Sequence, residues 1–162
     1  MSHTPIILAS SSQTRKDLMN RLGVAYECIS PEIDESPQGE LHADDLAKRL
    51  AFEKAKVISE QHPNAIVIGS DQVAWREGAP DIFIGKPLSV ENAIKQLQAN
   101  SDHFVYFSTA LSVQHQSTGF EQTMIEHDKV KFRKLDLGEI ERYVERDQPL
   151  HCAGSFKCES LG

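Results

Sequence analysis

Apolar positions along the chain fall into short runs and helical stripes that alternate. Ile6-Ile7-Leu8-Ala9 is an apolar run of strand length. Ser10-Ser11-Ser12 follows and opens a helical pattern. That pattern turns Leu18, Met19 and Leu22 inward, and Gly23 is a natural stop. Tyr26 to Ser30 reads as a second strand. Pro31 to Glu40 mixes proline, glycine and acids without a period and reads as a loop. Asp44 can cap a long helix to about Gln61, with Leu46, Ala47, Leu50, Ala51 and Ile58 on one face. His62-Pro63-Asn64 ends it. Ala65-Ile66-Val67-Ile68 is the next strand, with Gly69-Ser70-Asp71-Gln72 at its C-terminal end. Val73 to Trp75 can extend that strand, and Glu77 to Asp81 has the composition of a turn.

Gly85-Lys86-Pro87 precedes a helix capped by Ser89, with Val90, Ala93, Ile94 and Leu97 inward. Phe104 to Val113 is β-rich, Ser117-Thr118-Gly119 turns it, and Glu121 to Phe132 returns antiparallel. Asp136 starts another helix, with Glu139 at the capping-box position and Ile140, Tyr143 and Val144 on the buried face. His151 to Gly162 is irregular. The order β-α-β-α-β-α-β-β-α predicts an α/β fold, a mixed sheet with helices on its faces.

Composition narrows the class. A chain of 162 residues makes one domain, or two small lobes sharing a core. A hydrophobic share of 40% with 25% charged residues argues against disorder. No apolar run approaches bilayer length. Met1-Ser2-His3-Thr4-Pro5 lacks the basic start of a signal peptide, which points to the cytoplasm. A formal charge of -7 argues against broad nucleic-acid binding, although a few converging cations can still hold a small anion. The three cysteines, Cys28, Cys152 and Cys158, match no redox or zinc spacing and read as reduced packing residues.

Four features carry chemistry. The first is Ser10-Ser11-Ser12-Gln13-Thr14-Arg15 at a strand-to-helix passage. A helix N-terminus offers free N–H groups and a positive dipole end, and the hydroxyls add donors. Arg15 in the first turn opposes the dipole unless an anion lies between, so Ser10 and Arg15 suit a phosphate. The plain alternative is Ser12 as an N-cap and Arg15 in solvent. The second is Lys54, four residues after Leu50 and four before Ile58 on the apolar stripe. Such a lysine reaches a buried anion or, more commonly, extends its ammonium to solvent. The third is Asp71, a carboxylate after four apolar residues, where open sheets bind ligands. Otherwise it bonds a neighbouring turn. The fourth joins Lys86, held between Gly85 and Pro87, to Glu35 in the acidic stretch Glu32-Ile33-Asp34-Glu35. Glu35 with Asp71 offers oxygen ligands for a divalent ion, against a turn lysine and a solvated acidic loop. Three cations and two acids suit phosphoryl chemistry.

In order along the chain, these segments resemble the Maf family of nucleoside triphosphate pyrophosphatases, once described as septum-formation inhibitors. The resemblance runs through Leu8-Ala9-Ser10-Ser11-Ser12 with Arg15, Glu32-Ile33-Asp34-Glu35, Arg49-Leu50-Ala51 and Glu53-Lys54-Ala55. It continues through Gly69-Ser70-Asp71-Gln72-Val73, Gly85-Lys86-Pro87-Leu88, Val130-Lys131-Phe132-Arg133 and His151-Cys152-Ala153-Gly154-Ser155-Phe156-Lys157. It implies hydrolysis of a nucleotide to monophosphate and pyrophosphate, assisted by a divalent metal cation (Mg, Mn or Co). By the same resemblance Asp71 is the catalytic base. Ser10, Arg15, Lys54 and Lys86 bind phosphate, and Glu35 with Asp71 holds the metal. The implied fold is an elongated mixed sheet with flanking helices and a central cleft between two lobes, like the inosine triphosphatase group. Residues 1–162 are expected to form a single domain lacking the family's C-terminal strand and helix.

The pattern resembles the 7-methyl-GTP pyrophosphatase branch. Sister members acting on thymidine and uridine triphosphates usually carry Asp-Thr at Asp71-Gln72, Ala-Tyr at Ser155-Phe156 and Ile-Gln-Gly at Cys158-Glu159-Ser160. Glu159 can accept both donors of a guanine edge and favours a cationic base. Thr14, where close relatives tend to carry an aromatic residue able to stack on that base, joins Gln72 and Glu159 as a specificity position. A small nucleotide is the implied partner, with no nucleic acid and no membrane, and a homodimer is left open. Two other readings compete: a non-catalytic nucleotide-binding regulator of septum formation, and a pyrimidine triphosphate pyrophosphatase.

Overall fold

In the computed structural model, which describes residues 4–158 and 160, the apolar run Ile6–Ala9 forms strand β1, and three of its four residues are buried. The remaining strands are β2 (Glu27–Ile29), β3 (Ile66–Arg76), β4 (Ala79–Ile84), β5 (Phe104–His115) and β6 (Phe120–Lys131). The helices are α1 (Gln13–Arg21), α2 (Ala43–Gln61), α3 (Val90–Asn100) and α4 (Leu137–Asp147). The sheet order is β2-β1-β3-β5-β6, with β4 pairing β3. β1 is parallel to both β2 and β3, whereas β3 and β4 are antiparallel. The expected mixed α/β sheet with flanking helices is therefore present. Among the described residues no helix is long and apolar enough to cross a membrane.

Several local expectations need correction. β3 does not stop before Asp71 but runs on to Arg76, so Asp71 lies inside the strand. Its parallel pairing with β1 ends at Ala9↔Gly69, and its pairing with β4 begins at Ala74↔Ile84. Asp71 thus sits past the end of β1, which keeps the strand-end logic although the strand itself continues. β4 was hidden because its burial follows no alternation, and the turn before it is only Glu77-Gly78. Gly78 supplies the positive φ of 81° that such a tight turn needs. On α1 the inward residue is Met19, while Leu18 and Leu22 are exposed. The helix turns the Arg15 and Met19 positions inward, four apart, so the inward stripe begins with a charge. α2 begins at Ala43, which puts Asp44 in the first turn rather than at the cap. Val90 is exposed because it is the first residue of α3, ahead of the packed turn. Cys28 and Cys158 are exposed, so they are not packing residues.

The chain forms two compact units. One comprises Met1–Glu40, Asp44–Asp71 and Thr109–Glu126; the other comprises Leu41–Ala43, Gln72–Ser108 and His127–Gly162. In the second unit Ala74, Ala93, Leu97, Val105, Phe107, Phe132, Ile140 and Val144 form the core. Phe156 packs there against Phe107 and Phe132. Asp136 and Glu139 close the expected capping box at the start of α4.

In the first unit the core joins Ile7 and Ala9 of β1, Ala55 and Ile58 of α2, and Ala65 and Val67. α2 presents Ala47, Ala51 and Ala55 to the sheet, all with no exposure. These small side chains let the helix backbone press onto β3. A Cβ at Gly69 would collide with the Ala51 carbonyl oxygen and stand 2.6 Å from the Ala55 nitrogen. Buried polar groups fix the helix against β5 as well. The Ser59 hydroxyl donates to Gln114 Oε1 at 3.2 Å, and Gln114 Nε2 donates to the Phe52 carbonyl at 3.1 Å. Gly69→Ala must push α2 off the sheet. The expected loss is about 1–3 kcal/mol, the usual cost of overpacking. It is read as a lower urea midpoint, and an unchanged midpoint would contradict the close approach.

Candidate active site

Lys54 stands on the apolar stripe of α2, and the close seating of that helix carries it into the first unit. Its residue is only 4% exposed. It does not extend to solvent, the commoner fate of such a lysine. Its Nζ donates to Asp71 Oδ1 at 2.6 Å and pairs with Glu35 Oε1 at 2.8 Å. A buried ammonium needs such partners, because an unpaired charge away from water is costly. The Asp71 side chain is nearly as enclosed, at 11%, whereas that of Glu35 is 49% exposed. The cluster therefore reaches solvent on the Glu35 side.

Arg15 completes the cluster from the start of α1. It is half-buried, and burial pulls its guanidinium below the ordinary arginine value, against the opposing charges of Asp71 and Glu35. Ser12 is the N-cap, its hydroxyl accepting from the Arg15 amide at 3.4 Å. The buried Ser10 hydroxyl accepts in turn from the Ser12 amide at 3.1 Å. The cap of the plain alternative exists, yet Arg15 is half-buried and the charges of Asp71 and Glu35 act on its guanidinium. Ser10, Arg15, Glu35, Lys54 and Asp71 thus belong to one unit, and the last four are joined by their charges.

The segment carrying Glu35 is held by a residue to which sequence reasoning gave no role. Arg49 Nη2 donates to the Ser36 carbonyl at 2.8 Å, Nη1 pairs with Glu53 at 2.9 Å, and Nε pairs with Glu40. This guanidinium ties the loop to α2 at both Ser36 and Glu40. Its hydrogen bond holds the Glu40 carboxyl below its ordinary value. Asp34 adds a local turn, accepting from the Ser36 amide at 2.9 Å and the Ser36 hydroxyl at 2.6 Å. The signal for Arg49 was available, since a long acidic loop followed by an arginine inside a helix invites pairing.

The other predicted positions are placed as follows. Thr14 is exposed in the first turn of α1. Gln72 is exposed on β3, directly after Asp71. Lys86 is exposed in the second unit between β4 and α3, where the preceding Gly85 carbonyl accepts from Gln96 Nε2 at 3.1 Å. Glu159 lies outside the described residues.

The donor set can be tested for a cation. Among the described residues no group of three or more His, Cys, Asp and Glu side chains is placed to hold a metal. Two carboxylates do converge, since one ammonium already touches both. All-oxygen donors suit a hard divalent ion, and magnesium is commonly held by one or two carboxylates plus substrate phosphates. Glu35 and Asp71 fit that partial set.

A family model described as Maf-like protein matches residues 5–162, nearly the whole chain. The chain belongs to the Maf family. Among Maf relatives, the nucleoside triphosphate pyrophosphatase of Acinetobacter baylyi is 69% identical over 157 residues, 97% of this chain and 79% of that protein. The 7-methyl-GTP pyrophosphatase of Pseudomonas savastanoi pv. phaseolicola is 45% identical over 157 residues, 97% of this chain and 80% of its own length. The fold is similar to that of a HAM1 protein from Coxiella burnetii, with a TM-score of 0.51 at 17% identity over 78% of this chain and 71% of that one.

If Arg49 holds the Glu35 loop, Arg49→Met should free it. Limited proteolysis at neutral pH should then cut between residues 31 and 40 faster than in the parent protein, with global unfolding little changed. Equal cutting would show that Arg49 does not hold the loop.

Proposed function

We propose that this Maf-type nucleoside triphosphate pyrophosphatase acts on 7-methyl-GTP or a closely related modified guanosine triphosphate, clearing it from the cytoplasmic nucleotide pool. The observation that carries the catalytic part is the Lys54 ammonium bound to Asp71 and Glu35, with Arg15 beside them. Two cations and two carboxylates in a partly enclosed cluster suit a polyphosphate that must be positioned and neutralised.

The reaction adds water across the anhydride between the α- and β-phosphates and yields nucleoside monophosphate and pyrophosphate. Asp71 takes one proton from the attacking water, and the other hydrogen stays with the new phosphate oxygen. Asp71 suits the base because its carboxylate is enclosed on a strand rather than carried by a mobile loop. Arg15 and Lys54 take up charge on the phosphate oxygens, so the charge that develops in the step meets cations already turned toward it. Ser10 lines the same helix start. Lys86 is given the same role on its Gly85-Lys86-Pro87 motif alone. A magnesium-, manganese- or cobalt-type ion, held by Glu35 and Asp71, would polarise the phosphate oxygens and acidify water.

Base preference is assigned to Thr14, Gln72 and Glu159. Two relatives named 7-methyl-GTP pyrophosphatase, at 45% and 43% identity, support the guanosine substrate, while the 69% relative carries the broader name. A carboxylate that accepts the guanine edge also favours the positive charge that N7-methylation creates.

Release of pyrophosphate should be measured for 7-methyl-GTP, GTP, UTP and TTP with magnesium or manganese. The expected kcat/KM is highest for 7-methyl-GTP, and Gln72→Thr should narrow its lead. A higher value for UTP or TTP would replace the guanosine reading with the pyrimidine one. Arg15→Ala should lower kcat/KM on every triphosphate by about 10–100-fold, the size expected for a lost charged contact.

A further inference from the structure

The position that links Asp71 to Glu35 is taken by Lys54. Its ammonium lies 2.6 Å from one carboxylate and 2.8 Å from the other, within the range of charge-assisted hydrogen bonds. A divalent ion held by the same two carboxylates would compete with the positive charge already there. Two features favour Lys54 over the ion. Its residue is only 4% exposed, on a helix pressed backbone-to-backbone against β3. The charge of Arg15 also acts on both carboxylates, which adds to the positive field that an incoming ion would meet.

We propose that Lys54 closes the divalent-cation site in the free protein and opens it only when a triphosphate arrives, so that the true ligand is the metal–nucleotide complex. This rests on the functional reading above. The triphosphate offers Lys54 another set of anionic oxygens. When the ammonium turns to the phosphates, the Asp71 and Glu35 oxygens are released to the incoming ion. The phosphates supply the donors that two carboxylates lack, which accounts for a site with two acidic ligands among the described residues. Metal and nucleotide then bind with positive coupling, each tightening the other by the same factor. Glu35, the more exposed of the two acids, is the one the ion meets first.

Manganese binding is measured by electron paramagnetic resonance and calorimetry, without nucleotide and with the α,β-methylene analogue of GTP. Association of manganese with the analogue in protein-free buffer is measured separately and allowed for. Binding that disappears in Asp71→Asn is the signal of interest. The parent protein alone should show none up to millimolar manganese. The analogue should create it, with a coupling of about 5–150-fold. Lys54→Met, which keeps the side chain's length without its charge, should gain Asp71-dependent binding without nucleotide. That gain should be partial, because Arg15 remains. If Lys54→Met does not fold, the parent protein with and without the analogue still decides. Equal Asp71-dependent binding in both conditions would overturn the proposal, whether or not pyrophosphate is released. Positive coupling in a protein that releases no pyrophosphate would support the closed cation site and overturn the catalytic reading instead.

Discussion

The site depends on one shared ammonium. Lys54 is buried, and a buried lysine must be paired or neutral. Its two partners come from distant parts of the chain, Asp71 from β3 and Glu35 from an irregular loop. Their distances follow from how deeply α2 sits on the sheet. The glycine at position 69 and the alanines of α2 set that depth. The chemistry is thereby tied to a packing constraint in the core of the same unit.

A second constraint acts on the loop. Irregular chain between Pro31 and Glu40 would leave Glu35 poorly defined without an anchor. Arg49 supplies it through a planar fork that meets Ser36, Glu40 and Glu53 together. The helix that carries Lys54 thus carries the group that places the partner of Lys54. Arg15 approaches the cluster from a fourth element, α1, whose N-cap is built on Ser12 and steadied through Ser10. Strand, helix and loop meet in charge rather than in apolar contact. Such a meeting resists collapse into a dry core and stays available to an anion.

Much of this was legible in the sequence. β1 and the capping box of α4 follow directly from apolar spacing and cap chemistry. The unusual place of Lys54 on an apolar stripe was visible too, but periodicity alone could not choose between solvent and a buried acid. Elements were lost where the code was weak. β4 has no alternation and was lost, whereas α1 was found but its inward face was misread because that face begins with a charged residue. The extension of β3 past Asp71 was open in the sequence through Val73 to Trp75, but the polar residues from Ser70 to Gln72 imitate a strand end. Pairing with β4 carries the strand onward, and that pairing is a long-range property. Arg49 was missed as a support because two of its partners, Ser36 and Glu40, lie in a loop without a period, and the acidic character of that loop was the one usable signal.

The central claim is that Asp71 is the base that activates water. The direct measurement is pyrophosphate release by Asp71→Asn beside the parent protein, with metal present and with folding checked by circular dichroism. The account predicts a folded variant whose kcat falls by about 10²–10⁴-fold, the usual contribution of a general base. A folded variant that keeps the parent kcat would contradict it.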